Sequence, residues 1–170
     1  MKNNLDTQDL EESINTAFLQ DRTTIKKECL RLLTRRDHSR KQIQDKLALK
    51  GYDKNQVSVV IEELSGKSFQ SDSRYAESYV RVRSQKGFGP IRIGYELRQQ
   101  GIDSGTVEEV LRAASDDWQT LLEQVYLKKY SQNTDCGHLE RGKQIRFLLQ
   151  RGFSNTMINT LFNQQSKQST

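Results

Sequence analysis

At 170 residues, the chain has room for one ordinary domain or two to three very small ones, and a large multidomain enzyme is excluded. Hydrophobic residues make up 34% and charged residues 29%, so little apolar surface is available per residue and the core must be thin and spread out rather than one deep globule. The 27 Lys and Arg exceed the 22 Asp and Glu to give a formal net charge of +5, an excess that suits a polyanionic neighbour. One proline and ten glycines stand among abundant Leu, Gln, Lys, Arg and Glu, a composition that favours helix over turn-dense β architecture, so the expected fold class is all-α.

No stretch approaches the roughly 18 to 20 apolar residues of a membrane span, and Met1 to Leu10 lacks both a basic n-region and an apolar h-region. The expected location is cytoplasmic, away from membranes. Cys29 and Cys136 stand far apart with no C-x-x-C pair, so neither a disulfide framework nor a structural zinc site is predicted and both thiols are expected to be reduced.

Charge alternates in blocks. Lys and Arg against Asp and Glu number 2 to 5 in residues 1–24, 9 to 3 in 25–50 and 2 to 4 in 51–73. The pattern then repeats with 6 to 2 in 74–98, 1 to 6 in 99–125 and 7 to 2 in 126–170. Basic blocks recurring at a near-constant interval point to a repeated unit that carries its cations on equivalent elements.

The letters contain that unit. A shift of fifty places Ile43, Leu47, Gly51, Asp53, Val57, Val60 and Ile61 on Ile93, Leu97, Gly101, Asp103, Val107, Val110 and Leu111. A further shift of fifty-one carries Leu97, Gly101, Asp103, Val107, Val110 and Leu111 onto Leu148, Gly152, Ser154, Ile158, Leu161 and Phe162. The same offsets relate Ile25, Tyr75 and Tyr126, and Cys29, Tyr79 and Tyr130, so each copy also holds an upstream helix and contains three in all.

In chain order, residues 1–21 are expected to be a mobile acidic segment. Residues 22–66, 67–115 and 116–164 are the predicted three-helix repeats, and 165–170 a polar tail. Ser39 with Gln42 and Asp53 with Gln56 have capping-box spacing, which predicts helix starts near 40 and 54. Pro90 after Gly89 fits the first position of a helix. In the last helix of each copy the apolar residues step by three and one, a helical stripe rather than a strand alternation. Ahead of that helix lies Gly, an apolar residue and then Asp or Ser, where Gly suits a left-handed C′ position and Asp or Ser an N-cap. Three tandem three-helix repeats forming an elongated, curved array are the architecture expected.

Catalytic constellations are absent from the sequence. His38 and Ser39 are neighbours at a helix start and do not make a triad, and Ser39 is accounted for as an N-cap. Cys136 and His138 form a C-x-H pair without further ligands. Lys86-Gly87-Phe88-Gly89-Pro90 lacks G-x-x-x-x-G-K-[ST] and follows a helix where a phosphate loop follows a strand. It reads as an interhelical connector, either alone or with exposed amides and neighbouring cations that add a contact surface. No catalytic residue, metal or cofactor is therefore predicted.

The run from Asp72 through Arg74, Tyr75, Tyr79, Arg81 and Arg83, with Lys86-Gly87-Phe88-Gly89-Pro90 and Glu96-Leu97, resembles the bacterial RecX family of recombinase regulators. Arg36-Asp37-His38-Ser39, Lys50-Gly51-Tyr52, Lys143 to Leu148 and Arg151-Gly152-Phe153-Ser154 extend the resemblance over residues 25–162. It implies tandem three-helix repeats and a non-catalytic protein that binds the RecA recombinase–DNA filament and limits filament growth, strand exchange and ATP hydrolysis. Gly94, inside a helix where propensity prefers Ala or Lys, and the irregular 131–138 loop depart from the pattern.

A groove-binding regulator needs a cationic face near DNA phosphates and a protein-contact surface. The residues expected to supply them are Arg74, Arg81, Arg83, Lys86, Arg92 and Arg98 with Gly87, Gly89 and Pro90, extended by Arg35, Arg36 and Arg146. Weak, sequence-blind nucleic-acid contact and a monomeric state accompany this reading. The aromatics Tyr75, Tyr79, Tyr126, Tyr130, Phe147 and Phe153 could stack on bases, but their helical spacing assigns them to the core. An autonomous DNA binder of helix-turn-helix type is the alternative, and a nuclease using scattered Asp and Glu a third.

Overall fold

The computed structural model describes residues 21–114, 117–130 and 138–168. The expected mobile segment therefore lies outside the described residues except for Asp21, as does Cys136. Nine helices account for the described chain: α1 (residues 21–33), α2 (Arg40–Ala48), α3 (Lys54–Gly66), α4 (Asp72–Gln85), α5 (Pro90–Gln99), α6 (Ser104–Ala113), α7 (Trp118–Tyr130), α8 (His138–Arg151) and α9 (Asn155–Gln168). Among the described residues there is no strand, and the helices follow in threes, the all-α tandem three-helix fold expected. Residues 165–168, placed by the sequence in a polar tail, continue α9.

Helix starts follow the capping chemistry. Ser39 Oγ accepts from the Gln42 amide at 3.1 Å, Asp53 Oδ1 from those of Asn55 and Gln56 at 3.0 Å, Asp103 Oδ1 from Thr106 at 2.9 Å and Ser154 Oγ from Met157 at 3.3 Å. Each satisfies an amide the helix cannot, worth about 1 kcal/mol. The aligned glycines end the preceding helices. Gly51, Gly101 and Gly152 have φ of +86°, +79° and +91°, and the next amide, of Tyr52, Ile102 or Phe153, reaches back to the carbonyl of Leu47, Leu97 or Leu148 at 3.2 Å. Only glycine adopts that φ without a Cβ penalty, and the bond satisfies a terminal carbonyl.

The contact pattern divides the chain after Tyr75. In the first unit, Ile25 and Cys29 of α1, Ile43 and Leu47 of α2, and Val57, Val60, Ile61 and Leu64 of α3 are all at most 2% exposed and form one core. Burial pushes the Cys29 thiol up to about 11, the state of an inert core cysteine. His38 is also buried; its Nδ1 lies 3.1 Å from the Arg36 carbonyl, to which it donates, and burial lowers its pKa. Gln70 donates to the His38 carbonyl at 3.2 Å and to Asp72 Oδ1 at 2.8 Å, while Asp72 accepts the Arg40 amide at 2.9 Å. The His38-Ser39 pair is thus part of the joint between α2 and the start of α4. Tyr75, 3% exposed, accepts from Gln42 Nε2 at 2.8 Å.

On the surface of this unit Glu63 collects Lys26 at 2.6 Å, Lys67 at 3.0 Å and Arg22 at 3.2 Å. Hydrogen bonds from Lys26, Lys67 and Arg22 hold its carboxyl at about 2, below the roughly 4.3 of an unfolded glutamate. A depressed folded value contributes stability that is complete above about pH 4.3 and disappears as pH falls through the folded value. Thermal melts of the wild type and Glu63→Gln should therefore differ at neutral pH, and the gap should narrow below about pH 4.3 and close as the pH falls through about 2. A gap that stays constant across that range would show that the cluster does not stabilise the fold.

In the second unit, Ile93 and Leu97 of α5 meet Val107 and Val110 of α6, every one of them 8% exposed or less. Gly94, out of place by propensity, is explained here: a Cβ would stand 3.1 Å from Leu111 Cδ1 and 3.5 Å from Val107 Cγ1, so its absence lets α5 and α6 approach. Leu122 and Tyr126 of α7, Leu148 of α8, and Phe153, Ile158, Leu161 and Phe162 form a second core. Tyr79 and Tyr130 are only partly buried, and Phe147 packs edge-on against Tyr130 with centroids 5.8 Å apart. Trp118 is buried and its indole N–H donates to the Leu111 carbonyl at 3.1 Å, tying α7 to α6.

Candidate functional site

The connector Lys86 to Pro90 is built into the second unit rather than left as a tether. Gly87 has φ +76°, and a Cβ there would meet Val125 Cγ2 at 2.8 Å. Gly89 is the N-cap of α5, with Pro90 at the first helical position, and makes no side-chain cap bond. A Cβ on Gly89 would lie 2.5 Å from the Gly152 carbonyl oxygen. Its counterpart one repeat earlier is Ser39, a capping residue; here the third repeat's backbone occupies the space a side chain needs. Instead the amides of Gly89 and Ile91 donate to the carbonyls of Arg151 at 2.8 Å and Gly152 at 3.1 Å.

Around this joint sit three guanidinium groups. Those of Arg83, Arg92 and Arg151 lie 3.9, 4.5 and 5.3 Å from the centroid of Phe88. Glu96 serves two of them: it accepts Arg83 Nε at 2.7 Å, Arg83 Nη2 in a second short bond, Arg92 Nε at 3.1 Å and the Tyr79 hydroxyl at 3.0 Å. Burial acts to raise the Glu96 pKa, but the bonds from Arg83, Arg92 and Tyr79 outweigh it and the net shift is down. Tyr79 is raised, by burial first and then by its bond to Glu96. Arg92 Nη1 also reaches the Gln150 carbonyl at 3.1 Å, and Arg151 Nη1 the carbonyls of Lys86 at 2.9 Å and Gly87 at 3.3 Å. Three guanidinium groups against one carboxylate leave the joint net positive.

The other cations divide by engagement. In the first unit Arg36 donates to the Asp37 carbonyl at 2.8 Å and to Gln42 at 3.2 Å, while Arg74 donates to the Phe69 carbonyl at 3.0 Å and faces Asp37 at 3.7 Å. Arg35 is exposed beyond the end of α1. In the second unit Arg81, Lys86, Arg98 and Arg146 are exposed, and none of them joins an ion pair among the described residues. A charge without an internal partner is the kind an external anion can use without breaking the fold.

Sequence reasoning named Arg151 only within the family resemblance and not as a site residue, and it missed Lys128, Lys129 and the role of Glu96 as the acceptor that fixes Arg83 and Arg92. The repeat carried a signal for Arg151, which occupies the position before the aligned glycine, as Lys50 and Gln100 do. Lys50 is also engaged, with Glu28. Among the described residues no group of three His, Cys, Asp or Glu could hold a metal, and no helix is long and apolar enough to cross a membrane.

Fold and composition define a class: an all-α tandem three-helix repeat protein with a formal net charge of +5. Three family models match the chain in order, RecX, first three-helix domain over residues 26–64, RecX, second three-helix domain over 71–111 and RecX, third three-helix domain over 115–162. Regulatory protein RecX of Legionella pneumophila (strain Corby) is 40% identical over 133 residues, covering 78% of this chain and 89% of the relative. The protein of the same name from Pseudomonas entomophila (strain L48) is 35% identical over 146 residues, covering 86% and 94%. A crystal structure of RecX from Lactobacillus salivarius superimposes with a TM-score of 0.72 at 28% identity over 86% of this chain and 97% of the other. A crystal structure of a regulatory protein RecX at 22% identity shares the fold, with a TM-score of 0.78 over 90% and 77% of the two chains. The chain belongs to the RecX family of regulatory proteins.

Proposed function

We propose that this protein binds the RecA recombinase–DNA filament and restrains its extension, ATP hydrolysis and strand exchange in recombination and DNA repair. In this reading it acts in the cytoplasm as a monomer, without a cofactor and without chemistry of its own. The observation that carries the reading is the ordered match of all three RecX domains on one chain. The geometry supports a division of labour within the second unit. Arg81, Lys86, Arg98 and Arg146 offer charge to phosphates or acidic protein surface; Arg83, Arg92, Gly87, Gly89 and Pro90 hold the joint that presents them. Ile91 and Tyr95, one turn apart on α5 and 59% and 64% exposed, add apolar surface for a protein partner, the element that tells a filament from bare nucleic acid. In the first unit Arg35, Arg36 and Arg74 are the corresponding candidates.

Adding the purified chain to a RecA–single-stranded DNA ATPase assay is expected to lower turnover. No effect at stoichiometric excess removes the proposal. A triple variant with Arg81, Arg98 and Arg146 each changed to Glu is expected to weaken inhibition by about tenfold or more, since three solvated contacts together carry on the order of 1.4 kcal/mol or above. Its far-UV circular dichroism should match the wild type, because these side chains join no ion pair among the described residues. Undiminished inhibition by that variant would place the contact elsewhere. Titration of bare duplex is expected to show weak, salt-steep, sequence-blind binding; tight sequence-specific binding would favour an autonomous helix-turn-helix binder.

A further inference from the structure

The second unit carries a concave surface of which the filament reading uses only Lys86 and Gly87. The end of α4 together with α7 and α8 lines a cleft of about 640 Å³. Lys86, Lys128, Lys129 and Arg151 all border it, and among the described residues no carboxylate does. This is unlike the rest of the chain, where Glu28, Glu63 and Glu96 each collect two or three cations. Two of the cleft cations are held in position. Lys129 Nζ lies 3.7 Å and Arg151 Cζ 5.0 Å from the centroid of Phe147. Arg151 is further anchored through Nη1 to the Lys86 and Gly87 carbonyls, which leaves its other N–H groups able to donate. Like charges gathered and fixed in a concavity repel one another, and a bound polyanion relieves that repulsion.

A smaller cavity shares part of the cleft's lining. Gln85, Leu121 and Gln124 border both the cleft and this cavity of about 280 Å³, whose other walls include Trp118, Thr120 and Asp117. The two cavities differ in chemistry: four cations in the larger, and apolar surface, amides, the Ser84 and Thr120 hydroxyls and one carboxylate in the smaller. We propose that together they form a nucleotide site. The phosphates lie among Lys86, Lys128, Lys129 and Arg151. The nucleoside lies over Leu121 toward Trp118, with the Gln85 and Gln124 amides available to a base edge. Asp117 accepts from a sugar hydroxyl or exocyclic amine and repels phosphate, which sets the direction of binding. The combined size suits a small-molecule site. The shared chemistry is a phosphorylated nucleoside, supplied either as a free nucleoside polyphosphate or as one unit of a single strand. This site stands independently of RecA binding.

Trp118 is the only tryptophan of the chain, so its fluorescence reports occupancy directly. The full-length protein, without RecA, is titrated separately with ADP, inorganic pyrophosphate and a short oligothymidylate. A saturable fluorescence change is expected with ADP or with the oligonucleotide. ADP and pyrophosphate binding without the oligonucleotide identifies a free nucleotide as the source; oligonucleotide binding without ADP identifies a strand. Lys128→Gln with Lys129→Gln, both exposed positions, should raise the Kd at least about tenfold while the melting temperature without ligand is kept; Lys86→Gln should act in the same direction. Three results overturn the site: no saturable response to ADP or oligonucleotide up to a few millimolar, binding of pyrophosphate alone, or an affinity unchanged in the double variant.

Discussion

Gly152→Ala is expected to destabilise the second unit by about 2 to 5 kcal/mol, more than the same change at the aligned Gly51. Two costs coincide there. A φ of +91° penalises any Cβ by about 1 to 2 kcal/mol. The new Cβ would also sit 2.4 Å from Arg92 Cβ and 2.5 Å from the Arg92 amide nitrogen, atoms that no rotamer change can move, and overpacking of that kind costs about 1 to 3 kcal/mol more. To relieve the clash, the chain around Gly152 must pull away from Arg92, straining the Gly89–Arg151, Ile91–Gly152 and Arg92–Gln150 hydrogen bonds. Gly51 is the matched control. Its φ of +86° is nearly the same, but nothing lies within 4 Å of a Cβ, so Gly51→Ala should lose only the backbone part, about 1 to 2 kcal/mol. Urea unfolding of both variants, each compared with the wild type, gives the difference. Equal losses would mean that the two glycines answer to the turn alone and that the joint is not crowded.

Glu96→Ala is expected to cost roughly 2 to 3 kcal/mol. Arg83 and Glu96 side chains are 20% and 19% exposed, so water compensates the lost partner only in part, and the loss falls below the 3 to 5 kcal/mol seen when a fully buried pair is broken. Removing Glu96 leaves Arg83 and Arg92 without their shared carboxylate beside Arg151, so three guanidinium groups face Phe88 with no counter-charge and their repulsion then opposes the joint. The double variant Arg83→Ala with Glu96→Ala should lose less than the sum of the two single changes, because the second removes a charge already orphaned. A spectroscopic signature accompanies it. Tyr79 is raised partly by its bond to Glu96, so its phenol should ionise at lower pH in Glu96→Ala than in the wild type. Additive losses with an unmoved tyrosine titration would mean that the network is a set of independent surface contacts.

Within the sequence, the repeat, the helices and most of the core are legible because they depend on neighbours. Spacing by three and four puts Val57, Val60, Ile61 and Leu64 on one helical face, and the same spacing recurs in Val107 and Val110 and in Ile158, Leu161 and Phe162. The structure buries all of them. Asp53, Asp103 and Ser154 cap helices through amides two or three residues away, and the aligned glycines act on carbonyls five residues or fewer behind their turn. Such effects are decided inside a single turn of chain.

The distribution of the cations is another matter. Arg83 and Arg81 look alike as letters, yet Arg83 is tied to a glutamate thirteen residues on and Arg81 joins no ion pair among the described residues. Gly89 reads as a flexible connector until a carbonyl sixty-three positions away takes the place of its Cβ. Arg151 anchors a loop sixty-five residues earlier. By itself the sequence determined which segments coil, where they stop and which faces turn inward, since those follow from local hydrogen bonding and periodicity. Which charges are consumed internally and which join no ion pair among the described residues was settled only by tertiary packing, because Coulomb and steric contacts depend on distance in space and carry no signature in chain separation.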